Sequence, residues 1–529
     1  MCRMHGPTPR SSDVRRSVPN MAASEGLGKH TVRDLSGPRR RSSAGLSVRR
    51  VHRFRTRGGA MSAVGVGAGQ RLPAPPRVPL VGGWQARGLR MLQDPTEYFL
   101  RQYRRFGGIS AWDATRPKHV FVFSPEYLRL LFAEPEVFIV DAFREVRMPA
   151  DSSFLRLSNG LLRLNGDTHR SHRRVVQHGL HARRVVRYRD TMAELTEELL
   201  AGWRTGETRR IDQDMGRLVT RTAMRTILGV DAPAEADRLQ RLIDRLLAVA
   251  ASPATLLFPY DLPGTTFRTA LRVSERIEES LRALIAERRT AAGSDVLTAL
   301  IAARDENGTA LTDEELVAEA YTSFCHDSNI STLTWTLFLL DRHPDVLDRL
   351  TAELRDTLGG AAPTADDLDR LDYLDAVVKE VLRLLPPAPM LLRYTAREAD
   401  LGPYRLPSGA LLFYSPYVTH RLPGLYDDPL RFDPDRWRDL KPAVYEYLPF
   451  GAGAHHCLGK HFALLEIKTV LALLLQRFRP ALAPGTRVDR AMRISFVPKH
   501  GMPMVLHPVG ARPEPVPVRG NITESVRLA

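Results

Sequence analysis

Cysteine is scarce in this 529-residue chain: Cys2, Cys325 and Cys457 are all it has. Three thiols so widely spaced cannot build a disulfide framework, so a reducing compartment is the default and a cytoplasmic location is expected. A structural zinc site needs four Cys or His ligands in paired spacings, and Cys457 with His461 offers one pair at most. Internal repeats are lacking too, which argues against a solenoid. The first sixty residues contain no apolar run long enough for a membrane anchor or a signal peptide, and no membrane span is expected. Acidic residues are outnumbered, 60 against 76 Lys and Arg, for a net charge of +16. Residues 1–60 alone hold fourteen Lys and Arg against three Asp and Glu, a surplus of +11. The basicity therefore belongs mainly to an Arg-, Ser- and Gly-rich leader, and no nucleic-acid partner is expected from the remainder. We read translation as beginning at Met61, which makes residues 1–60 either an untranslated stretch or a disordered basic leader.

What is present suits one large helical domain. Hydrophobic residues make up 43% of the chain and charged residues 26%, enough apolar side chain for a sizeable core. A Pro- and Gly-rich lead-in ("RLPAPPRVPLVGG") fills residues 61–83. After it, "DPTEYFLRQYRRF", "RDTMAELTEELLAGW" and "RVSERIEESLRALIAERR" repeat apolar positions at three and four, the spacing of amphipathic helices. Short β-type runs, "HVFVFS" and "ALLFYSPYV", lie nearer the ends. The expected fold is mainly α with small β sheets, a single domain over residues 84–508, followed by a Pro-rich disordered tail at 509–529.

The longest expected helix opens at Thr312, where Thr312 and Glu315 have capping-box spacing, and runs to about Leu340, short of Pro344. Its centre interrupts an apolar stretch with His326, Asp327, Ser328 and Asn329. Buried polar groups cost about 1 to 3 kcal/mol each unless paired. Four together point to a wet, functional cavity.

The segment "FGAGAHHCLGKH" (450–461) sets Cys457 among glycines and histidines. A nucleophilic cysteine would find a base in His455 or His456, but would leave the glycines without a purpose. A haem accounts for more of the letters. Gly451, Gly453 and Gly459 clear space for a flat macrocycle, and backbone N–H groups can bond to the sulfur. The helical run "FALLEIKTVLALLLQRF" follows, aiming its N-terminal dipole at the thiolate. Cys457 is thus read as an axial iron ligand.

On these residues the chain resembles the cytochrome P-450 haem-thiolate monooxygenases: "FGAGAHHCLG" matches F-G-x-G-x-[HR]-x-C-x-G at every fixed position, including Phe450. The resemblance runs from about Leu80 to Pro508. It implies a single triangular, mainly helical domain holding haem b. Glu380 and Arg383 of "KEVLRLLPP" lie on one helix face, and with Arg436 of "RFDPDRW" they resemble the family's structural clamp. His169 and Arg173, one turn apart in "GDTHRSHRRVV", resemble the propionate-holding helix; Arg393 and His455 resemble two further propionate donors. "FCHDS" corresponds to the oxygen-activating segment, commonly A-G-x-[DE]-T. Asp327 takes the acid position and Ser328 replaces threonine, beside His326, to pass protons to dioxygen.

Phe324 and Cys325 stand where that segment usually has alanine and glycine, so a benzyl group is expected near the oxygen groove. Together with Pro389 and Met390 of "PPAPMLL" they are the expected pocket wall, and "SPATLLFPYDLPGTTF" the expected lid. The resemblance implies a lipophilic substrate, a terpenoid or polyketide-type secondary metabolite, with a fatty acid as the alternative. It also implies O2 and electrons from a separate ferredoxin and ferredoxin reductase using NADPH or NADH, docking near Lys460 and His461 on a monomer. Two other readings follow from the Phe324 and Cys325 departures: a coupling or cyclising haem-thiolate enzyme, and a non-oxygenating haem-binding partner or scaffold.

Overall fold

The computed structural model describes residues 71–72 and, with short interruptions, 91–528. The leader, the expected start at Met61 and most of the lead-in lie outside the described residues. The first helix, α1 (Pro95–Phe106), begins where its sequence directs: Asp94 accepts the Glu97 N–H at 3.0 Å, and Pro95 at the first helical position has no N–H to leave unpaired. Helices α2 (Pro125–Ala133), α3 (Ser153–Ser158), α4 (Gly166–Leu180), α5 (Ala182–Val185) and α6 (Arg189–Ala201) follow. The next are α7 (Ile211–Ile227), α8 (Pro233–Ala250), α9 (Thr266–Thr290) and α10 (Val296–Ala302).

The stretch expected as one helix from Thr312 is two: α11 (Asp313–Ser323) and α12 (Asp327–Arg342). The predicted capping box is present, with Thr312 Oγ1 accepting the Glu315 N–H and Glu315 Oε2 accepting the Thr312 N–H. Phe324 closes α11, and α12 restarts at Asp327. Asp327, Ser328 and Asn329, read as interrupting one helix, are instead the opening residues of the second. The remaining helices are α13 (Pro344–Leu358), α14 (Ala365–Arg370), α15 (Asp372–Leu384), α16 (Pro416–Thr419) and α17 (Lys460–Leu475).

Strands are short and form separate small sheets. Five of them, β1 (Ile109–Ala111), β2 (His119–Val122), β3 (Phe138–Ile139), β5 (Leu391–Thr395) and β8 (Leu411–Tyr414), make one sheet in the order β1-β2-β8-β5-β3. Both β runs expected from sequence lie in it, paired in parallel with Val120 opposite Leu412. The second ends at Tyr414 because Ser415 caps a new helix and Pro416 opens it. A three-stranded sheet joins β4 (Thr208–Arg210), β12 (Pro503–Pro508) and β9 (Phe478–Leu482), and two antiparallel pairs are made by β6 (Ala399–Leu401) with β7 (Tyr404–Leu406) and by β10 (Arg490–Met492) with β11 (Phe496–Pro498).

The largest apolar cluster gathers α12, α15 and α17. Trp335 of α12 lies at its centre, fully buried, with its indole N–H on the Phe496 carbonyl at 2.7 Å. The tail is ordered, contrary to the sequence reading. Ile522 and Val526 are buried in this cluster, the Ser525 hydroxyl accepts from the Tyr417 hydroxyl at 2.8 Å, and Arg490 meets Glu524 at 3.2 Å. Proline supplies extended backbone on the way to these apolar anchors, and the anchors hold the segment down.

Candidate functional site

The cysteine loop joins the end of an irregular segment to α17. Its entry is fixed by a neutral imidazole: the Leu448 N–H donates to His420 Nε2 at 2.8 Å, while His420 Nδ1 faces the Arg383 carbonyl at 3.1 Å. Burial pushes the His420 pKa down to about 3, which keeps Nε2 an acceptor. Gly451 and Gly453 both have φ near +68°, the left-handed region that glycine tolerates best. A Cβ on Gly453 would sit 3.2 Å from Phe132 of α2, so the close neighbour there is protein. Only at Gly459 would an added Cβ meet the sulfur, at 3.8 Å. The Cys457 N–H closes the loop onto the Phe450 carbonyl at 2.8 Å.

The Cys457 side chain is exposed, yet burial is the largest influence on its thiol and pushes the pKa up. The two facts agree if the sulfur lies on the floor of a concavity, reachable by a small molecule and surrounded by protein. The Gly459 N–H, Arg173 and Lys460 act in the other direction, favouring the thiolate.

Around this floor the structure gathers four of the predicted residues from three distant segments. His169 and His455 stack with ring centroids 3.8 Å apart. Burial together with Arg173, Arg170, His172 and Arg393 lowers the His169 pKa to about 4. Burial, His169, Arg393 and Arg173 lower that of His455 to about 3. Arg173 donates to the His456 carbonyl at 2.9 Å. Arg393, on β5, is buried between the rings of Phe132 and Tyr414, its guanidinium 5.4 and 5.5 Å from their centroids. Two arginines and two proton-poor histidines thus face one another, and no carboxylate is among the groups acting on either imidazole.

Glu380, Arg383 and Arg436 form a separate buried network. Glu380 accepts from Arg383 (2.9 Å), Arg436 Nε (2.9 Å), Trp437 Nε1 (3.0 Å) and the Asp433 N–H (3.0 Å). Arg383 also donates to the carbonyls of His420, Pro429 and Arg431. Every charged atom is answered, as a pair excluded from water requires. Through His420 the network reaches the start of the cysteine loop.

Asp327 begins α12 half-buried, and Ser328 beside it is exposed. Cys325 and His326 lie outside the described residues. Phe324 is buried, 3% exposed, in a second apolar cluster with Phe154, Leu157 and Phe462. Its ring is a core side chain, which the sequence reading, expecting it at the groove, did not anticipate. Pro389 is buried with its carbonyl on Ser415 Oγ at 2.6 Å, and Met390 is half-buried against the main core.

Two further groups escaped the sequence reading. His172, buried on α4, sets Nδ1 3.0 Å from Glu319 and Nε2 3.2 Å from Glu315, tying α4 to α11. Burial opposes its charge, but the two carboxylates outweigh it and raise the pKa. Asn329 of α12 donates to the fully buried Glu466 of α17 at 2.5 Å. The i,i+4 spacing of Glu315 and Glu319, and a lone Glu in the apolar run of α17, were the available signals.

The Cytochrome P450 family model matches residues 72–504. Among relatives, the chain is 32% identical over 430 residues to the cyclooctat-9-en-7-ol 5-monooxygenase of Streptomyces melanosporofaciens, covering 78% of this chain and 90% of that one. It is 33% identical over 372 residues to the cyclooctatin synthase of the same organism, covering 68% and 79%. Against the putative cytochrome P450 139 of Mycobacterium tuberculosis it is 31% identical over 389 residues, covering 72% and 89%. Among solved structures, a retinoic acid-bound cyanobacterial CYP120A1 superposes with a TM-score of 0.72 at 26% identity, over 84% of this chain and all of that one. Among the described residues no helix is long and apolar enough to cross a membrane. With the match spanning most of the chain, and relatives this similar over more than two thirds of it, the chain belongs to the cytochrome P450 family of haem-thiolate monooxygenases.

Proposed function

We propose that this monooxygenase holds haem b on Cys457 and oxidises a lipophilic, terpenoid-class small molecule, drawing electrons from a cytoplasmic ferredoxin and its reductase, with NADPH or NADH as the source. The observation that carries the cofactor reading is the group of two guanidiniums and two neutral imidazoles gathered near an accessible thiol. Arg173, Arg393, His169 and His455 converge with no carboxylate acting on the histidines, which suits a ligand bearing two carboxylates of its own. Bound haem supplies the activation of dioxygen and the oxidation of the substrate. The chain supplies the rest. Cys457 would donate its sulfur, the Gly459 N–H and Arg173 would moderate the sulfur's charge, the Arg173 and Arg393 guanidiniums would neutralise the propionates, and the neutral imidazoles of His169 and His455 would offer them N–H donors. Asp327, half-buried at the start of α12, takes protons from water, and the Ser328 hydroxyl beside it passes them on.

The substrate class rests on two relatives, one named for 5-monooxygenation of cyclooctat-9-en-7-ol and one for cyclooctatin synthesis. The apolar Phe258, Tyr260 and Leu262, exposed between α8 and α9, suit a lid over such a molecule. For the electron donor, Arg174, His178, His181, Arg183, Arg184 and Arg187 line a basic recess. Helix α5 within that stretch packs on α17, beside the cysteine loop, where an acidic redoxin would be steered.

The test is the carbon monoxide difference spectrum of the reduced protein with haem content measured on the same sample. Binding spectra and turnover with polycyclic terpene alcohols under 18O2 follow. A strongly red-shifted thiolate band and product carrying one labelled oxygen are expected. Stoichiometric haem without that band would overturn the Cys457 assignment, and turnover confined to fatty acids would overturn the substrate class.

A further inference from the structure

Helix α17 starts three residues after Cys457 and turns Glu466 into the core. The carboxyl is wholly buried, and no charged side chain is among the influences on it; its polar neighbours are Asn329 of α12 and Thr222 of α7. Asn329 Nδ2 donates to Oε2 at 2.5 Å, whereas Oε1 has no hydrogen-bond partner. The Thr222 hydroxyl donates to the Leu218 carbonyl at 3.0 Å, which leaves its oxygen free to accept a proton from Glu466. An ionised Glu466 therefore leaves one oxygen without a donor, at the cost of an unpaired buried charge. A protonated Glu466 can give its proton to Thr222 and still accept from Asn329. Burial, partly offset by the Asn329 hydrogen bond, pushes its pKa up to about 7.

Asn329 is the third residue of α12, directly after Asp327 and Ser328. The Asn329–Glu466 bond is thus a direct polar tie between the helix that follows the cysteine loop and the turn assigned above to proton delivery. We propose that Glu466 is a positioning residue of the monooxygenase site, which fixes the Asp327–Ser328 turn through Asn329 and changes its hold on that turn with its own protonation. The inference rests on the reading of Asp327 and Ser328 as the oxygen-side residues. When Glu466 ionises, its bond from Asn329 becomes charge-assisted and tightens while Oε1 loses its outlet, so the α12 start is held differently on the two sides of the transition.

The experiment uses carbon monoxide as probe on the reduced, haem-loaded protein, so no substrate is needed. The C–O stretch reports the polar groups on the oxygen side, and difference infrared spectroscopy reads the buried carboxylic acid directly. In the unaltered protein the C–O band is expected to move between two positions as pH passes about 7, in step with loss of a carboxylic-acid band. Glu466→Gln, which donates to Thr222 and accepts from Asn329 without titrating, should lock the C–O band at its low-pH position and remove the acid band. Asn329→Ala should keep the titrating acid band but uncouple the C–O band from it. A C–O band that ignores pH in the unaltered protein, or still follows it in either variant, would overturn the proposal. The underlying reading fails separately: Asp327→Asn and Ser328→Ala leaving the C–O band where it was would remove Asp327 and Ser328 from the oxygen side whatever Glu466 does.

Discussion

At Cys457 the sulfur can be removed with little disturbance to the fold. The side chain is exposed, so in the haem-free protein Cys457→Ala is expected to shift the unfolding free energy by less than about 0.5 kcal/mol. The same change should abolish the thiolate carbon monoxide band, and a variant that kept the band would move the iron ligand elsewhere. Glu380 is the opposite case. Glu380→Gln removes the one charge shared by Arg383 and Arg436 in a site closed to water, and breaking a buried pair from one side costs about 3–5 kcal/mol. The urea midpoint at constant slope is the measure; a loss under about 1 kcal/mol would mean the network is solvated. Both sites were legible in sequence because their chemistry is written in short, fixed spacings. His172, His420 and Glu466 were not. Glu466 is a lone acidic letter in an apolar run, His172 one basic letter among several, and each partner is far along the chain: 147 residues for His172 and Glu319, 28 for His420 and Leu448, 137 for Glu466 and Asn329. The first and last pairs form where α4 meets α11 and α17 packs on α12, and the second where the end of α16 meets the segment before the cysteine loop.

At the scale of elements, the periodic helices and the two β runs followed from apolar spacing, because each buries one face against a neighbour. The break between α11 and α12 did not, since a run of apolar and polar letters reads alike whether the backbone continues or restarts. Phe324 illustrates the same ambiguity: it caps α11 and enters the core, and an apolar letter reads alike whether it faces a core or a groove. The tail was misread because proline and charge dominate its first half. Its second half carries Ile522 and Val526 at helical spacing, both buried. Burying two such side chains is worth about 1.5–3 kcal/mol each. Ending the chain after Pro508 should therefore lower the unfolding free energy by about 3–6 kcal/mol, read as a lower melting temperature with Cys457 chemistry unaltered in the fraction that folds. An unchanged melting temperature would return the tail to the disordered class.

For the whole molecule, histidines limit stability on both sides of neutrality: His172 on the alkaline side, and His420, together with His169 and His455, on the acid side. His172 has a raised pKa in the folded protein, so its contribution is complete below about 6.5 and is lost as pH climbs through the raised value. His420 has its pKa lowered to about 3, so its contribution is complete above the ordinary 6.5 and is lost as pH falls from there toward 3, because the unfolded chain takes up a proton that the folded one refuses. One such proton gives a slope of about 1.4 kcal/mol per pH unit. That acid limb matters more than its size suggests, since His420 joins the Arg383 carbonyl to the Leu448 N–H and so ties the Glu380 network to the cysteine loop. His420→Gln retains a neutral donor and acceptor but cannot titrate. It is expected to be less stable than the unaltered protein at pH 7 and to lose stability more slowly on acidification, so that the two urea-midpoint curves converge below about pH 6.5. Parallel curves from 6.5 downward would show that another group carries the acid limb and that the His420 link survives protonation.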